Sequence, residues 1–308
     1  MKILVAGVGA VGGFVGARLA QAGRDVDFLV RPARAALLRE RGLRIINGDS
    51  VDIVSPSVVT AVEITGPAGL ILLSVKPTAL EKVMADLAPA VGPETVIVPF
   101  LNGMAHLDSL TRRFGNAVLG GVLKVVTQLD GNGDIRQFAP GCRIDIGELD
   151  GSRTQRLART AEALSAPEFA VEVRSDIVDA MWSKWVFIAS IGAVTCLARA
   201  TIGDAVAVPG GAEFAEAMFA EAAAVAEAAG HPLSEADRKA TRAVVTAAGA
   251  PTTSSMSREL LAGRPTEVEN VLGDLIHRAH DFGLPTPRLE AAALTLRVHN
   301  HLLSTKDN

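Results

Sequence analysis

Two stretches of this 308-residue chain hold residue types whose spacing can do chemistry. The first is GVGAVG, made of Gly7, Val8, Gly9, Ala10, Val11 and Gly12. A G-x-G-x-x-G pattern that follows a strand and opens a helix is built for a dinucleotide. The first glycine permits the tight turn and the second lets a pyrophosphate approach the backbone. The third brings strand and helix close, with the phosphates at the helix N-terminus. The second stretch is MWSKWVFIASIGAVT, residues 181–195, an apolar run with one cation, Lys184, and no further charge before Arg199. A lysine in such a run either carries its head out to water along its own stem or is retained as an ammonium for a reaction.

Three further positions belong with the glycine motif. The second strand, DVDFLVR, ends at Arg31, and Arg34 follows. A guanidinium there suits a 2′-phosphate, which it can pair bidentately, so NADP(H) is expected over NAD(H). Asp27 lies mid-strand, too far back to reach a ribose. Lys76 in SVKPT, and Asn102 with Gly103 in FLNGM, each follow an apolar strand-like run. Open α/β sheets bind ligands at those carboxyl ends, so both loops are expected to touch cofactor or substrate.

The elements that must position these residues alternate through the first half. KILVAG reads as a strand, GGFVGARLAQAG as a helix stopping at Gly23, and DVDFLVR as a strand. GLILLSVK, TVIVPFLNG and AVLGGVLKVV are short apolar runs of the kind buried in a parallel sheet, with helical stretches such as TALEKVMADLAPAV between them. TQLDGNGDIRQFAPGCRIDIGE carries Asp-Gly, Asn-Gly and Pro-Gly signals and predicts antiparallel hairpins at the sheet edge. From about Asp176 onward the pattern is almost wholly helical. The expected fold is α/β: a Rossmann-type doubly wound sheet over 1–172, then an all-helical domain over 173–308.

Composition narrows the classes. Hydrophobic residues make up 49% and charged residues 21%, enough for a substantial core. A net charge of −4 speaks against nucleic acid or an anionic membrane as the main partner. The most apolar uncharged run, Trp185–Ala198, is shorter than the roughly 20 residues of a spanning helix. Two cysteines, Cys142 and Cys196, at no metal or redox spacing, fit a reducing cytoplasm. His277 and His280, three apart with Asp274 and Asp281 nearby, read as a solvated helix face rather than a metal site.

Taken together, GVGAVG, Arg31 closing FLVR, Lys76 in SVK, NGM at 102–104, Lys184 in MWSKWVF and the block TSSMSRELLAGRPTEVENVLG (253–273) resemble the ketopantoate reductase (2-dehydropantoate 2-reductase) family over nearly the whole chain. The resemblance implies a Rossmann domain and a helical domain with the active site between them, and hydride transfer from NADPH to the keto carbon of a 2-oxo acid. By the same resemblance Lys184 is the general acid, stabilising and protonating the developing alkoxide, and burial would tune a lysine toward that work. Asn102 would touch cofactor and substrate, Ser255 would hold the substrate, and Glu267 would contact the cofactor and organise the site. Read locally, Ser255 is also a helix N-cap, and Glu267 an acid in a first helical turn.

The chain departs from that family where its members carry asparagines four and eight residues after the lysine. Those positions are Ile188 and Gly192, and no asparagine occurs between Asn132 and Asn270. The later block, which usually ends Asn-Gly, has Leu272 before Gly273. An amide-lined site discriminates strongly for a hydroxyl, and these substitutions make the wall apolar. A small-molecule 2-oxo acid or related carbonyl compound with a less polar tail is therefore expected. A β-hydroxyacid dehydrogenase and a non-catalytic NADPH-binding sensor are the rival readings. The Ala-rich helical half is compatible with a homodimer.

Overall fold

The computed structural model describes residues 1–306. The chain divides into two compact units, one formed by Met1–Leu101 with His106–Ile177, the other by Asn102–Ala105 with the chain from Val178 onward.

The first unit begins β1 (Ile3–Ala6), α1 (Ala10–Gln21), β2 (Val26–Leu29) and α2 (Pro32–Arg41). A hairpin, β3 (Leu43–Asn47) and β4 (Ser50–Val54), follows, then β5 (Ser57–Val59), β6 (Leu70–Leu73), α3 (Leu80–Leu87) and β7 (Val96–Pro99). Five of these strands form a parallel sheet in the order β5-β2-β1-β6-β7. Every residue of β1, β2, β6 and β7 is buried, which is why β1, β6 and β7 are continuous apolar runs rather than alternating ones, while β2 carries one charged residue, Asp27. Strand order reverses between β1 and β6, so the loops leaving their carboxyl ends flank a topological switch point.

The rest of this unit differs from expectation. After α4 (Ala105–Phe114) come β8 (Gly120–Lys124), β9 (Thr127–Leu129), β10 (Ile135–Gln137), β11 (Cys142–Gly147), α5 (Gln155–Leu164) and β12 (Phe169–Val173). The hairpin β9–β10 does not extend the parallel sheet. It joins β3 and β4 in a second sheet of order β4-β3-β10-β9. AVLGGVLKVV supplies β8, which pairs antiparallel with β11 in a third sheet, β12-β11-β8, and Val118, just before that strand, is bridged to Ile97 of the parallel sheet. A run buried on both faces does not encode the direction of its neighbour, so this segment's residues are compatible with parallel and antiparallel pairing alike. The β3–β4 hairpin was legible in INGDS: its two-residue turn puts Gly48 at φ +57°, first of the two turn residues.

The second unit is helical: α6 (Ile177–Ala198), α7 (Ile202–Val206), α8 (Gly211–Ala228), α9 (Glu235–Val245), α10 (Ser255–Leu261), a π-helical turn at Glu269–Gly273, α11 (Asp274–Asp281) and α12 (Pro287–Lys306). With 22 residues and a mean hydropathy of 1.4, α6 is long and apolar enough to cross a membrane, yet 67% of that window is buried within the protein. Trp182, Trp185, Val186, Ala189 and Val194 are core residues, so the hydropathy of α6 is that of a central helix.

Candidate active site

The loop between β1 and α1 is shaped by close approach. Gly7 has φ +98°, and a methyl there would overlap the carbonyl oxygen of Ser74 at the end of β6. A methyl on Gly12 would overlap the Gly7 carbonyl. Gly9 is different: it caps α1 without a side-chain hydrogen bond, and nothing lies within 4 Å of where its Cβ would stand. No side chain caps the N-terminus of α1, and Val8, Ala10 and Val11 are half-buried beside it. An uncapped helix N-terminus with room at Gly9 fits a pyrophosphate, whose charge the first-turn N–H groups and the helix dipole would hold.

At the end of β2 the two arginines have separate fates. Arg34 is half-buried and donates from Nη2 to the Gly133 carbonyl at 3.0 Å, in the β9–β10 turn. Burial, with Arg41 beside it, lowers its pKa from the usual arginine value. Arg31 is exposed at the N-cap of α2, followed by Pro32 at the first helical position. Asp27 is buried; it accepts from Ser57 Oγ at 2.5 Å and pairs with Lys2 at 2.8 Å, so it is engaged below the strand end. Lys76 is exposed immediately after β6, one residue beyond the Val75 side chain that crowds Gly7.

In the second unit, Lys184, Ile188 and Gly192 recur at intervals of four along α6 and so share one helix face. Lys184 and Ile188 are half-buried, while Gly192 is buried. A methyl on Gly192 would overlap Met256 Cε, so the thioether of α10 occupies the space beside it. On either side of Lys184 the helix is anchored. Trp185 donates from Nε1 to the Val271 carbonyl at 2.8 Å, Trp182 and Trp185 lie 4.9 Å apart, and the Arg278 guanidinium sits 5.7 Å from both rings.

Hydroxyls seat α10 on α6. Thr195 Oγ1 donates to the Ile191 carbonyl at 2.7 Å, which leaves Ser254 Oγ to donate to Thr195 Oγ1 at 3.0 Å. Ser254 Oγ also accepts from Ser257 N at 2.9 Å, making Ser254 the N-cap of α10. Ser255 is therefore not the cap. It is the first helical residue, and its side chain is exposed.

Asn102 and Gly103 belong to this unit. Gly103 is buried at φ +77°, and a methyl there would drive into the Asn270 carbonyl oxygen of the π turn. A π turn inside a helix displaces carbonyls from the regular ladder. Here the Val271 carbonyl is taken up by Trp185 and the Asn270 carbonyl abuts Gly103. Glu267 is half-buried just before this turn, its carbonyl accepting from Val271 N at 3.2 Å. Its neighbour Thr266 is gripped by the Asn300 amide, which accepts from Thr266 N at 2.9 Å and donates to the Thr266 carbonyl at 3.0 Å. Asn300, Met256, Ser254 and the π turn were not singled out from sequence. Only the Ser-x-x-Ser cap spacing offered a local signal. Among the described residues, no group of three or more His, Cys, Asp or Glu could hold a metal.

A parallel sheet with a glycine-lined helix N-terminus at its switch point, joined in one chain to a helical unit built around a lysine-bearing core helix, is the organisation of nicotinamide-dinucleotide oxidoreductases. Within that class, the chain belongs to the ketopantoate reductase PanE/ApbA family, whose N-terminal part matches residues 3–151 and whose C-terminal part matches residues 176–300. It is 33% identical over 300 residues to YkpB, an uncharacterised oxidoreductase of Bacillus subtilis strain 168, covering 97% of this chain and 99% of that one. A 2-dehydropantoate 2-reductase of Mesorhizobium japonicum is 27% identical over 323 residues, 96% and 97% of the two chains. Among solved structures, a D-mandelate dehydrogenase with NADH and anilino(oxo)acetate has a TM-score of 0.88 at 20% identity, covering 99% and 100% of the two chains, which is a likeness of fold.

Proposed function

We propose that this protein is an NADPH-dependent reductase of a 2-oxo acid whose tail is less polar than that of ketopantoate. The observation that carries the reading is the face of α6, where Lys184 is followed at four and eight residues by Ile188 and by a Gly192 whose free space is filled by Met256. A wall of isoleucine and thioether favours an apolar tail and offers no amide to a substrate hydroxyl. A protein of the same fold is named for D-mandelate and was solved with anilino(oxo)acetate, so the fold accommodates an aryl-bearing oxo acid.

The reduced nicotinamide supplies a hydride to the keto carbon. The first-turn amides at Gly9–Gly12 hold the pyrophosphate, and Arg31 and Lys76 meet the remaining phosphate charge. With Arg34 committed to Gly133, Arg31 is the guanidinium available for a 2′-phosphate, which supports NADPH over NADH. Lys184 stabilises the negative charge developing on the carbonyl oxygen and delivers the proton that completes the alcohol. Asn102 and Ser255 hold the substrate, and Glu267 contacts the cofactor. A cytoplasmic setting suits two buried free thiols, Cys142 and Cys196, which burial pushes up to about 12.

The test is NADPH oxidation by purified protein with ketopantoate and a panel of 2-oxo acids bearing aliphatic and aryl tails. We expect the higher kcat/KM with an apolar tail. Efficient turnover of ketopantoate would overturn the substrate class while leaving the reductase. The loss of the amides also favours an NADPH-binding sensor, and that reading requires tight NADPH binding with no oxidation on any member of the panel.

A further inference from the structure

The three residues at 297, 299 and 300 of α12 grip the chain on both sides of Glu267. Arg297 pairs with Glu269 through two bonds of 2.7 Å, Nε to Oε1 and Nη2 to Oε2. His299 Nε2 lies 2.9 Å from the Arg264 carbonyl. Asn300 reads both backbone groups of Thr266, its Oδ1 accepting from the N–H and its Nδ2 donating to the carbonyl, and the Thr266 hydroxyl adds a third bond to Oδ1 at 3.3 Å. Thr266 is buried, so this polar backbone has no water to fall back on. A side-chain amide is the group that can accept and donate in this paired way.

The segment held in this manner needs holding. Gly263 stands at φ +64° and opens an irregular stretch, and regular helix resumes only after the π turn at Glu269–Gly273. The stretch between Leu261 and Glu269 has no strand partner, so the direction in which Glu267 leaves the backbone is set by the Thr266 peptide units that Asn300 fixes.

We propose that Asn300 is the positioning residue for Glu267: by clamping the Thr266 backbone it aims the carboxylate at the bound dinucleotide. This rests on the reading that Glu267 contacts the cofactor. Asn300 touches neither cofactor nor substrate and acts only through Glu267, so removing it after Glu267 has been neutralised should cost nothing more.

The experiment is a double-mutant cycle on NADPH affinity, read by fluorescence titration of the full chain, with Asn300→Ala, Glu267→Gln and the double variant. We expect Asn300→Ala to weaken NADPH about fivefold and Glu267→Gln about tenfold, with the double variant no weaker than Glu267→Gln, whereas independent effects would multiply to about fiftyfold. The isosteric Asn300→Asp keeps the acceptor for Thr266 N–H and loses only the donor to the carbonyl. It carries the same cycle if the alanine variant does not fold. A weakened Glu267→Gln beside a multiplicative double variant, or beside Asn300 variants that bind NADPH as the parent does, would overturn the proposal alone. A Glu267→Gln variant with unchanged NADPH affinity would overturn the role of Glu267, and the proposal with it.

Discussion

Replacing Gly9 by alanine separates folding from cofactor binding at a single methyl group. Gly9 has φ −87° and ψ −163°, an extended backbone that alanine adopts without strain, and no atom lies within 4 Å of the added Cβ. Restricting the unfolded chain stabilises the variant by about 0.4–1 kcal/mol, and the weaker N-cap preference of alanine offsets this by a similar amount, so stability should stay within about 1 kcal/mol. Binding should respond differently. A phosphate oxygen accepting from a backbone N–H sits about 2.9 Å from the nitrogen, which leaves no room for a methyl beside it. Losing one such charge-assisted bond costs about 1.5–3 kcal/mol, roughly ten- to hundredfold in NADPH affinity. The assay pairs thermal unfolding of the cofactor-free protein with fluorescence titration of NADPH. An unchanged melting temperature with unchanged NADPH affinity would refute the assignment of the pyrophosphate to this loop. Gly7→Ala is the contrasting control: its φ of +98° and the overlap with Ser74 should move both readouts.

Lys184→Ala should lower kcat by about 10²–10⁴ while NADPH affinity is retained, since the ammonium is assigned to proton transfer rather than cofactor binding; an unchanged kcat in single-turnover assays would exclude it as the acid. Ile188→Asn should shift kcat/KM toward ketopantoate and away from apolar-tailed oxo acids by about tenfold. Gly192→Asn should lower the melting temperature, because it buries an amide and displaces Met256 Cε, whereas Gly192→Ala, which only asks the flexible end of Met256 to move, should lower it less. Glu148 accepts from Arg156 and from Thr154 at the start of α5, and the Arg156 hydrogen bonds hold its carboxyl below the usual glutamate range. A carboxyl depressed in the folded state stabilises fully above its unfolded value of about 4.3 and loses that contribution as pH falls through the folded value. Denaturant titrations across pH 5 to 3 should therefore show a shallower acid loss for Glu148→Gln than for the parent, and identical slopes would contradict the assignment.

How much was legible differs between the two units. The βαβ start was readable because its signals are local: an apolar run, glycines at fixed offsets and a helix that stops at Gly23, which stands at φ +79°. The alternation of elements was enough to expect a doubly wound sheet, and the helical texture after Asp176 to expect a helical unit. The partners of AVLGGVLKVV and of the 127–137 hairpin were not readable, because strand direction and neighbour are set by which buried faces meet.

The same division runs through the candidate site. Residue types and spacings alone determined that a dinucleotide motif opens the chain, that a basic residue closes the second strand, and that one lysine interrupts an apolar helix, followed four and eight residues on by isoleucine and glycine. Local preference and period carry that information. Tertiary structure decided which of two arginines is tied to a distant turn, which of two serines caps α10, what fills the space at Gly192, and that an amide from α12 holds the backbone before Glu267. Each of these depends on contacts between residues far apart in the chain, and a linear pattern of residue types holds no record of which of them packing will bring together.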